Sequence, residues 1–370
     1  MRWIIGTILI GLCALIFCEY LADFVFVRKC KWPKLKRQRY VEDPLHALIL
    51  SDPHLAGPRF DGWRNRTYTE WHMKRAFQAS IKLLKPDVVF ILGDLFDEGD
   101  KLNNQQFHEH MTRYLKMFNL PPGIPLISLA GNHDVGFHFN LHPYYLKRFE
   151  EHFKYSLVHL YTIKDVHFVL INSMALGTEC GCTFCEMTET ALKNVSQTLN
   201  CMESTQEEDC NDAADSTQLY SQPILLQHIP TYRISDDICI ERDAPYIEYF
   251  RENCDVLSKN LTDLLGDWFK PRLAFAGHSH HYCHSVNRLG INEFTVASFC
   301  WRNKDNPSFL MATITPDDYK VTKCEMLTKP FVHNCYYLAG VLWLLLTAYK
   351  FVLCLVKTRR QAQDEEPKDS

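Results

Sequence analysis

The sequence predicts an α/β fold, a sandwich of two mixed sheets flanked by helices, with a transmembrane helix at each end. Three observations predict it: short apolar runs alternate with helical patterns over residues 44–176, strand-like runs dominate after residue 270, and long apolar stretches occupy both termini. Two alternating periods followed by strand-rich sequence are the pattern of a layered sheet core covered by helices. The 370 residues suffice for one large domain or two modest ones. A hydrophobic fraction of 46%, 13% aromatics and a net charge of −4 fit a globular protein rather than a disordered one. That charge gives no case for a nucleic-acid partner.

The elements follow in order. Residues 1–27 read as an N-terminal transmembrane anchor near the ~20 residues that cross a bilayer. Glu19 and Asp23 interrupt it, so a cleaved signal peptide is the competing reading. Cys18-Glu19-Tyr20-Leu21-Ala22-Asp23 offers no clear small-x-small cleavage site. Residues 28–43 form a basic juxtamembrane linker whose partner is a lipid bilayer. The globular domain is expected over 44–330. Within it, strands are predicted at 46–50, 88–92, 124–130, 156–163, 166–172, 224–228, 273–276, 293–297, 309–314 and 319–324. Helices are predicted at 70–84, 103–119, 144–153 and 186–199, with a further helical pattern inside 246–269. Residues 177–221 break the alternation as a cysteine-containing, acidic insertion. Residues 331–356 form a second transmembrane helix, with a buried core helix as the alternative, and 357–370 a cytosolic tail.

The side of the membrane is contested by charge. The basic residues of 28–39 favour cytosol for the domain, whereas Lys357, Arg359 and Arg360 beyond the second span favour the opposite. Three acceptor sequons at Asn65-Arg66-Thr67, Asn194-Val195-Ser196 and Asn260-Leu261-Thr262, with ten cysteines between Pro44 and Pro330, favour a lumenal domain.

Five blocks carry the chemistry, each at the end of a strand-like run. They are Asp52-Pro53-His54, Gly93-Asp94-Leu95-Phe96-Asp97, Gly131-Asn132-His133-Asp134, Gln227-His228 and Gly277-His278-Ser279-His280. Residues two apart in an extended segment share a face, so Asp52 and His54 can reach one ion. A carboxylate such as Asp94 can bridge two cations, and Asn132, His228, His278 and His280 add an amide oxygen and imidazoles. Oxygen with imidazole suits manganese, iron or zinc over calcium. Two divalent ions less the charges of Asp52 and Asp94 leave a positive surplus, which attracts a phosphate ester and lowers the pKa of bound water toward ~7. His133 stands beside Asn132 as a candidate acid for the leaving alkoxide, and Asp97 as the group that orients it.

Together the motifs Asp-x-His, Gly-Asp-x-x-Asp, Gly-Asn-His-Asp, a later His and Gly-His-x-His resemble the calcineurin-like metallophosphoesterase superfamily, over residues 45–280. The resemblance implies a sandwich of two mixed sheets. It also implies one metal on Asp52, His54, Asp94 and His280, and a second on Asp94, Asn132, His228 and His278. Glu98 departs from the protein-phosphatase branch, which has Arg there to clamp a phosphate dianion. A carboxylate there disfavours a monoester dianion more than a diester monoanion.

Residues 90–99, 131–138 and 298–309, with the terminal spans, are similar to the metallophosphoesterase 1 group. That group implies manganese and a lumenal phosphodiesterase that removes ethanolamine phosphate from the glycan of glycosylphosphatidylinositol (GPI) anchors. Its implied partners are GPI-anchored proteins and cargo receptors, at endoplasmic reticulum exit sites, the intermediate compartment or the Golgi. The tail Asp364-Glu365-Glu366-Pro367-Lys368-Asp369-Ser370 lacks the dilysine retrieval signal that members can carry. The alternatives are a phosphoesterase for another lipid or nucleotide headgroup and a catalytically silent cargo scaffold. Trp301 and Arg302 are candidate substrate contacts, for sugar stacking and phosphate, with a packed loop as the competing reading. Cys180, Cys182, Cys185 and Cys201 are expected to form disulfides, a structural zinc site being the alternative.

Overall fold

The computed structural model describes residues 2–35, 43–57, 59, 62–137, 140–155, 157–177, 184–204 and 219–364. Helix α1 (Arg2–Ile16) passes through a π-helical turn (Phe17–Leu21) into α2 (Ala22–Val27). Next come β1 (Leu45–Leu50), α3 (Trp63–Leu84), β2 (Val88–Ile91), α4 (Asn104–Met117), β3 (Leu126–Ser128), the single turn α5 (Asn132–Val135) and α6 (Pro143–Phe153). The hairpin β4 (Val158–Ile163) and β5 (Val166–Ile171) leads to α7 (Cys185–Glu203), β6 (Ile224–Gln227), β7 (Glu241–Arg242) and α8 (Lys259–Phe269). The chain ends with β8 (Leu273–Ala276), β9 (Cys283–Val286), β10 (Asn292–Thr295), β11 (Ser308–Ile314), β12 (Tyr319–Glu325) and the long helix α9 (Lys329–Asp364).

The strands make two mixed sheets, in the orders β12-β11-β1-β2-β3 and β4-β5-β6-β8-β10-β9-β7. Strands β1, β2 and β3 run parallel, as do β5, β6, β8 and β10, so their carboxyl ends open at one edge. Period-two alternation divides each strand between two cores. Leu45, Ala47 and Ile49 meet Phe168, Leu226 and Phe275 between the sheets. Leu48 and Leu50, on the other face of β1, share a core with Phe77 of α3 and Met111 of α4. With both faces covered, the central strands read as unbroken apolar runs, which is why they were legible. Helix α4 opens with a reciprocal capping box between Asn103 and Gln106.

Several boundaries differ from expectation. Helix α3 begins at Trp63 rather than residue 70, since its first turns lie largely on the surface and lack apolar periodicity. The pattern inside 246–269 is helical only over Lys259–Phe269, where Ser258 caps the Leu261 amide. Strands β7 and β9 were not foreseen; both pair at the second sheet's edge, and the Cys239–Cys283 disulfide ties them. The second span is part of a longer helix, Lys329–Asp364.

Among the described residues, two helices are long and apolar enough to cross a membrane, Ile5–Val27 and Lys329–Gln361. The first is not uniformly lipid-like. Its π-helical turn and α2 dock on α3, where Asp23 meets His72 Nδ1 at 3.2 Å and Glu19 meets His72 Nε2 at 3.3 Å. Tyr336 of α9 donates to Glu19 at 2.7 Å. A disulfide joins Cys30, in the segment assigned to the linker, to Cys324 of β12. Cys185 and Cys201 are likewise disulfide-bonded, against the zinc alternative, while Cys180 and Cys182 fall outside the described residues. All three sequon asparagines are exposed.

Candidate metal centre

The candidate ligands occupy the loops at the carboxyl ends of β1, β2, β3, β6 and β8. Asp52, His54, Asp94, His278 and His280 all adopt left-handed backbone, with φ of 53°, 43°, 50°, 71° and 60°. Asp and His tolerate this region better than most residues, yet each such residue stores roughly 1–3 kcal/mol of strain. The surrounding hydrogen bonds hold them there. The Asp52 amide donates to the Gly93 carbonyl at 3.1 Å and the His54 amide to the Asp94 carbonyl at 3.0 Å. The His278 amide donates to Asp52 Oδ2 at 3.1 Å. Gly93, at φ 99°, leaves no room for a side chain: a Cβ there would lie 2.6 Å from His228 Nδ1. Asp134 buttresses the site, accepting from the amides of Gly131, Leu95 and Phe96 at 2.9, 3.1 and 3.0 Å. Burial, and Asp94 close by, push its carboxyl up to about 7 against those three donors.

Two donor sets form. Asp52, His54, Asp94 and His280 offer ligand atoms all within 4.8 Å of one another, and so do Asp94, His228 and His278. Asp94 Oδ2 belongs to both, 3.4 Å from His54 Nε2 and 3.4 Å from His228 Nε2. The Asn132 amide oxygen lies 3.1 Å from His228 Nε2, completing the second set. The imidazoles are oriented from behind. His228 Nδ1 donates to the Leu92 carbonyl at 2.7 Å, and His54 Nδ1 to Asp97 Oδ1 at 3.2 Å, so each aims Nε2 inward. His278 spends Nε2 on the Cys254 carbonyl at 3.0 Å, leaving Nδ1 for the cluster.

The donors fit cations. Asp52 Oδ1 is buried without a hydrogen-bond partner, and the Nε2 atoms of His54 and His280 face each other at 3.0 Å. Carboxylate oxygens and imidazole nitrogens converging in a buried space are the arrangement a divalent ion satisfies, displacing the imidazole protons as it binds. Burial raises the Asp94 carboxyl, but His228, His54 and His133 outweigh it and hold the group well below the usual range. Asp52 is likewise held low: burial raises it, and His54, His228 and His280 prevail. Burial and the neighbouring His228 bring His278 down to about 4, and burial brings His280 to about 4, so both are neutral donors near pH 7.

A family model for calcineurin-like phosphoesterases matches residues 45–282. The chain belongs to that family. The phosphoesterase is a homologue of the Drosophila melanogaster "Metallophosphoesterase 1 homolog", 61% identical over 362 residues covering 98% of this chain and 97% of that protein. It is 41% identical to Metallophosphoesterase 1 of Gallus gallus over 354 residues, 92% of this chain and 88% of that one. Among solved structures, a dimetal phosphatase from Danio rerio aligns over 78% of this chain and all of its own, with a TM-score of 0.47 and 13% identity. The phosphoesterase is thus a metal-dependent enzyme with the dimetal type of site found in its family.

The expected residues are brought together with four changes of role. His133 Nδ1 donates to the Asp97 backbone carbonyl at 2.9 Å, so Asp97 orients it through main chain, not carboxylate. The Asp97 carboxylate instead receives His54 and both terminal nitrogens of Arg302. Arg302 is therefore engaged on a carboxylate rather than displayed to phosphate. Trp301 is no sugar platform: it is 7% exposed, its indole donates to the Leu327 carbonyl at 2.6 Å, and its ring stacks on His72 at 4.3 Å. Glu98 is also buried, 3.9 Å from the largely exposed Arg59, with neither carboxylate oxygen hydrogen-bonded. The sequence assigns no role to Leu92, Cys254 or Asp134, the first two of which act through a carbonyl that any residue would supply.

Proposed function

We propose that this phosphoesterase is a membrane-anchored two-metal phosphodiesterase that removes an ethanolamine-phosphate branch from the glycan of GPI anchors, in the lumen of the early secretory pathway. One observation carries the chemistry: Asp94 Oδ2 stands equidistant between the His54 and His228 donor nitrogens, one carboxylate facing two donor sets. In this reading Asp52, His54, Asp94 and His280 hold one cation, and Asp94, Asn132, His228 and His278 the other, with manganese as the metal. Such ions supply Lewis acidity toward phosphoryl oxygen and acidify water at the site. His133, its Nδ1 fixed on a carbonyl, keeps Nε2 to protonate the leaving alkoxide.

The substrate reading rests on further support. Arg302 is committed to Asp97, and Arg59 stands beside Glu98, so neither guanidinium is disposed as a clamp for a dianion. A monoanionic diester suits that balance better. The two terminal helices would hold the domain where a lipid-linked glycan lies. Disulfides and exposed sequons fit a lumenal domain. GPI-anchored proteins would then be the partners that carry the substrate, with cargo receptors receiving the product.

The test is manganese-dependent hydrolysis by purified full-length protein, against a GPI glycan bearing ethanolamine phosphate and a generic aryl phosphodiester. Release of ethanolamine phosphate, absent in Asp94→Asn, is expected. Cleavage of the aryl diester alone would overturn the substrate and point to another lipid or nucleotide headgroup. Cleavage of neither would leave a cargo-binding scaffold.

A further inference from the structure

We propose that Arg302 is a positioning residue that locks Asp97, and through it the His54 imidazole, and that Trp301 fastens this lock to the helices that dock the membrane anchors. The inference rests on the metal-centre reading and is independent of the GPI substrate.

Asp97 is the switchyard of the site. Its carboxylate accepts from His54 Nδ1 at 3.2 Å and from the guanidinium fork of Arg302, while its carbonyl accepts from His133 Nδ1 at 2.9 Å. One residue thus sets the ring plane of a ligand and of the proposed acid. Asp97 is 7% exposed, and without Arg302 its carboxylate would keep only the imidazole as an ionic partner. It would then be drawn to rotate toward solvent. Two parallel N–H bonds fix a carboxylate in plane as well as in place, a constraint a lysine point charge does not impose.

The adjacent residue is immobilised by different contacts. Trp301 lies in a cluster with Cys18 and Ala22 of the N-terminal helices, Leu327, and Val332 of α9. It stacks on His72, whose Nδ1 meets Asp23 at 3.2 Å. Consecutive residues therefore touch the base of both membrane anchors and the carboxylate that stands behind a candidate metal ligand. The position of the fork is registered against the anchor helices rather than a free loop.

The experiment uses full-length protein in detergent, measuring Mn2+ affinity by calorimetry together with kcat and KM on an aryl phosphodiester. Arg302→Ala is expected to weaken Mn2+ binding by ~10–100-fold, the scale of losing a partner behind a metal ligand, and to lower kcat with KM little changed. Guanidinium ion added in solution should restore part of both. Asp97→Asn should show a similar loss, and Arg302→Ala on top of it should add little, since the two act as one unit. Trp301→Ala should move in the same direction, and Trp301→Phe, which keeps a stacking ring, less so. If Arg302→Ala does not fold, Arg302→Gln carries the test with the same expectation. Wild-type Mn2+ affinity in the folded variant with a raised KM would overturn the proposal in favour of a substrate contact. Additive losses with Asp97→Asn would overturn it too. A wild-type protein that binds no Mn2+ would overturn the metal centre beneath it, whatever the substrate.

Discussion

Two regions among the described residues set buried carboxylates against a buried histidine, and they differ in what they could bind. At the strand ends, Asp52, Asp94, His54, His228, His278 and His280 converge from four loops, with Asp52 Oδ1 left without a hydrogen bond. At the membrane-proximal face, Glu19 and Asp23 meet His72, Arg75, Tyr68 and Tyr336 across three helices. There each carboxylate has a donor or cation of its own, so the cluster neutralises itself. The backbones differ as well. Five candidate ligands in the first region sit in left-handed backbone, whereas Glu19 and Asp23 of the second lie in the π-helical turn and in α2, with no positive φ. Buried acid and imidazole are thus insufficient. Convergence, an unpartnered oxygen and strain held in place by neighbouring hydrogen bonds distinguish a centre that binds from a joint that holds.

The largest expected effect that sharpens this contrast is Asp94→Asn. It removes the carboxylate common to both donor sets, so turnover should fall to background and at least one metal should be lost, read by elemental analysis. Next, His133→Ala should keep its metals and slow kcat by ~10²-fold or more; an active variant would remove the residue from the chemistry. On the other side, Asp23→Ala should cost about 3–5 kcal/mol as a broken buried pair, seen as a lower Tm. The number of metals bound per folded molecule at saturating Mn2+ should be unchanged, and a lost metal would erase the distinction between the regions.

A smaller, graded effect is the pH dependence of metal binding. Burial lowers His54, but Asp52, Asp97 and Asp94 outweigh it and push it up to about 10; His228 is likewise pushed up to about 9, burial opposing and Asp94 and Asp52 prevailing. Without a cation both are protonated near pH 7, and a ligating imidazole must give up that proton. Mn2+ affinity should therefore rise with pH up to about 9–10, where His228 and then His54 deprotonate unaided, and flatten above. Calorimetry across that range should also detect proton release, and pH-independent binding would contradict the assignment.

The sequence made much of the centre legible because its signals are local. An apolar run, a turn and a ligand recur at β1, β2, β3, β6 and β8, and the central strands are covered on both faces. What stayed hidden depends on partners distant in sequence. Asp97 lies beside His133 in space, but its carboxylate is claimed by Arg302, 205 residues away. Trp301 looked like a sugar platform until His72 and the N-terminal helix covered it. Glu19 and Asp23 read as flaws in an apolar span because their partners lie on α3 and α9. The left-handed turns at Asp52 and His280 carry no glycine to announce them. The two-residue strand β7 is too short to show a period.

The most direct test of the central claim is the number of Mn2+ ions bound by full-length protein, counted alongside its phosphodiesterase activity. Two ions in the wild type, with one or none and no turnover in Asp94→Asn, is the predicted result. A wild-type protein fully active with a single ion, or an Asp94→Asn variant that keeps two, would contradict a centre built on one shared carboxylate.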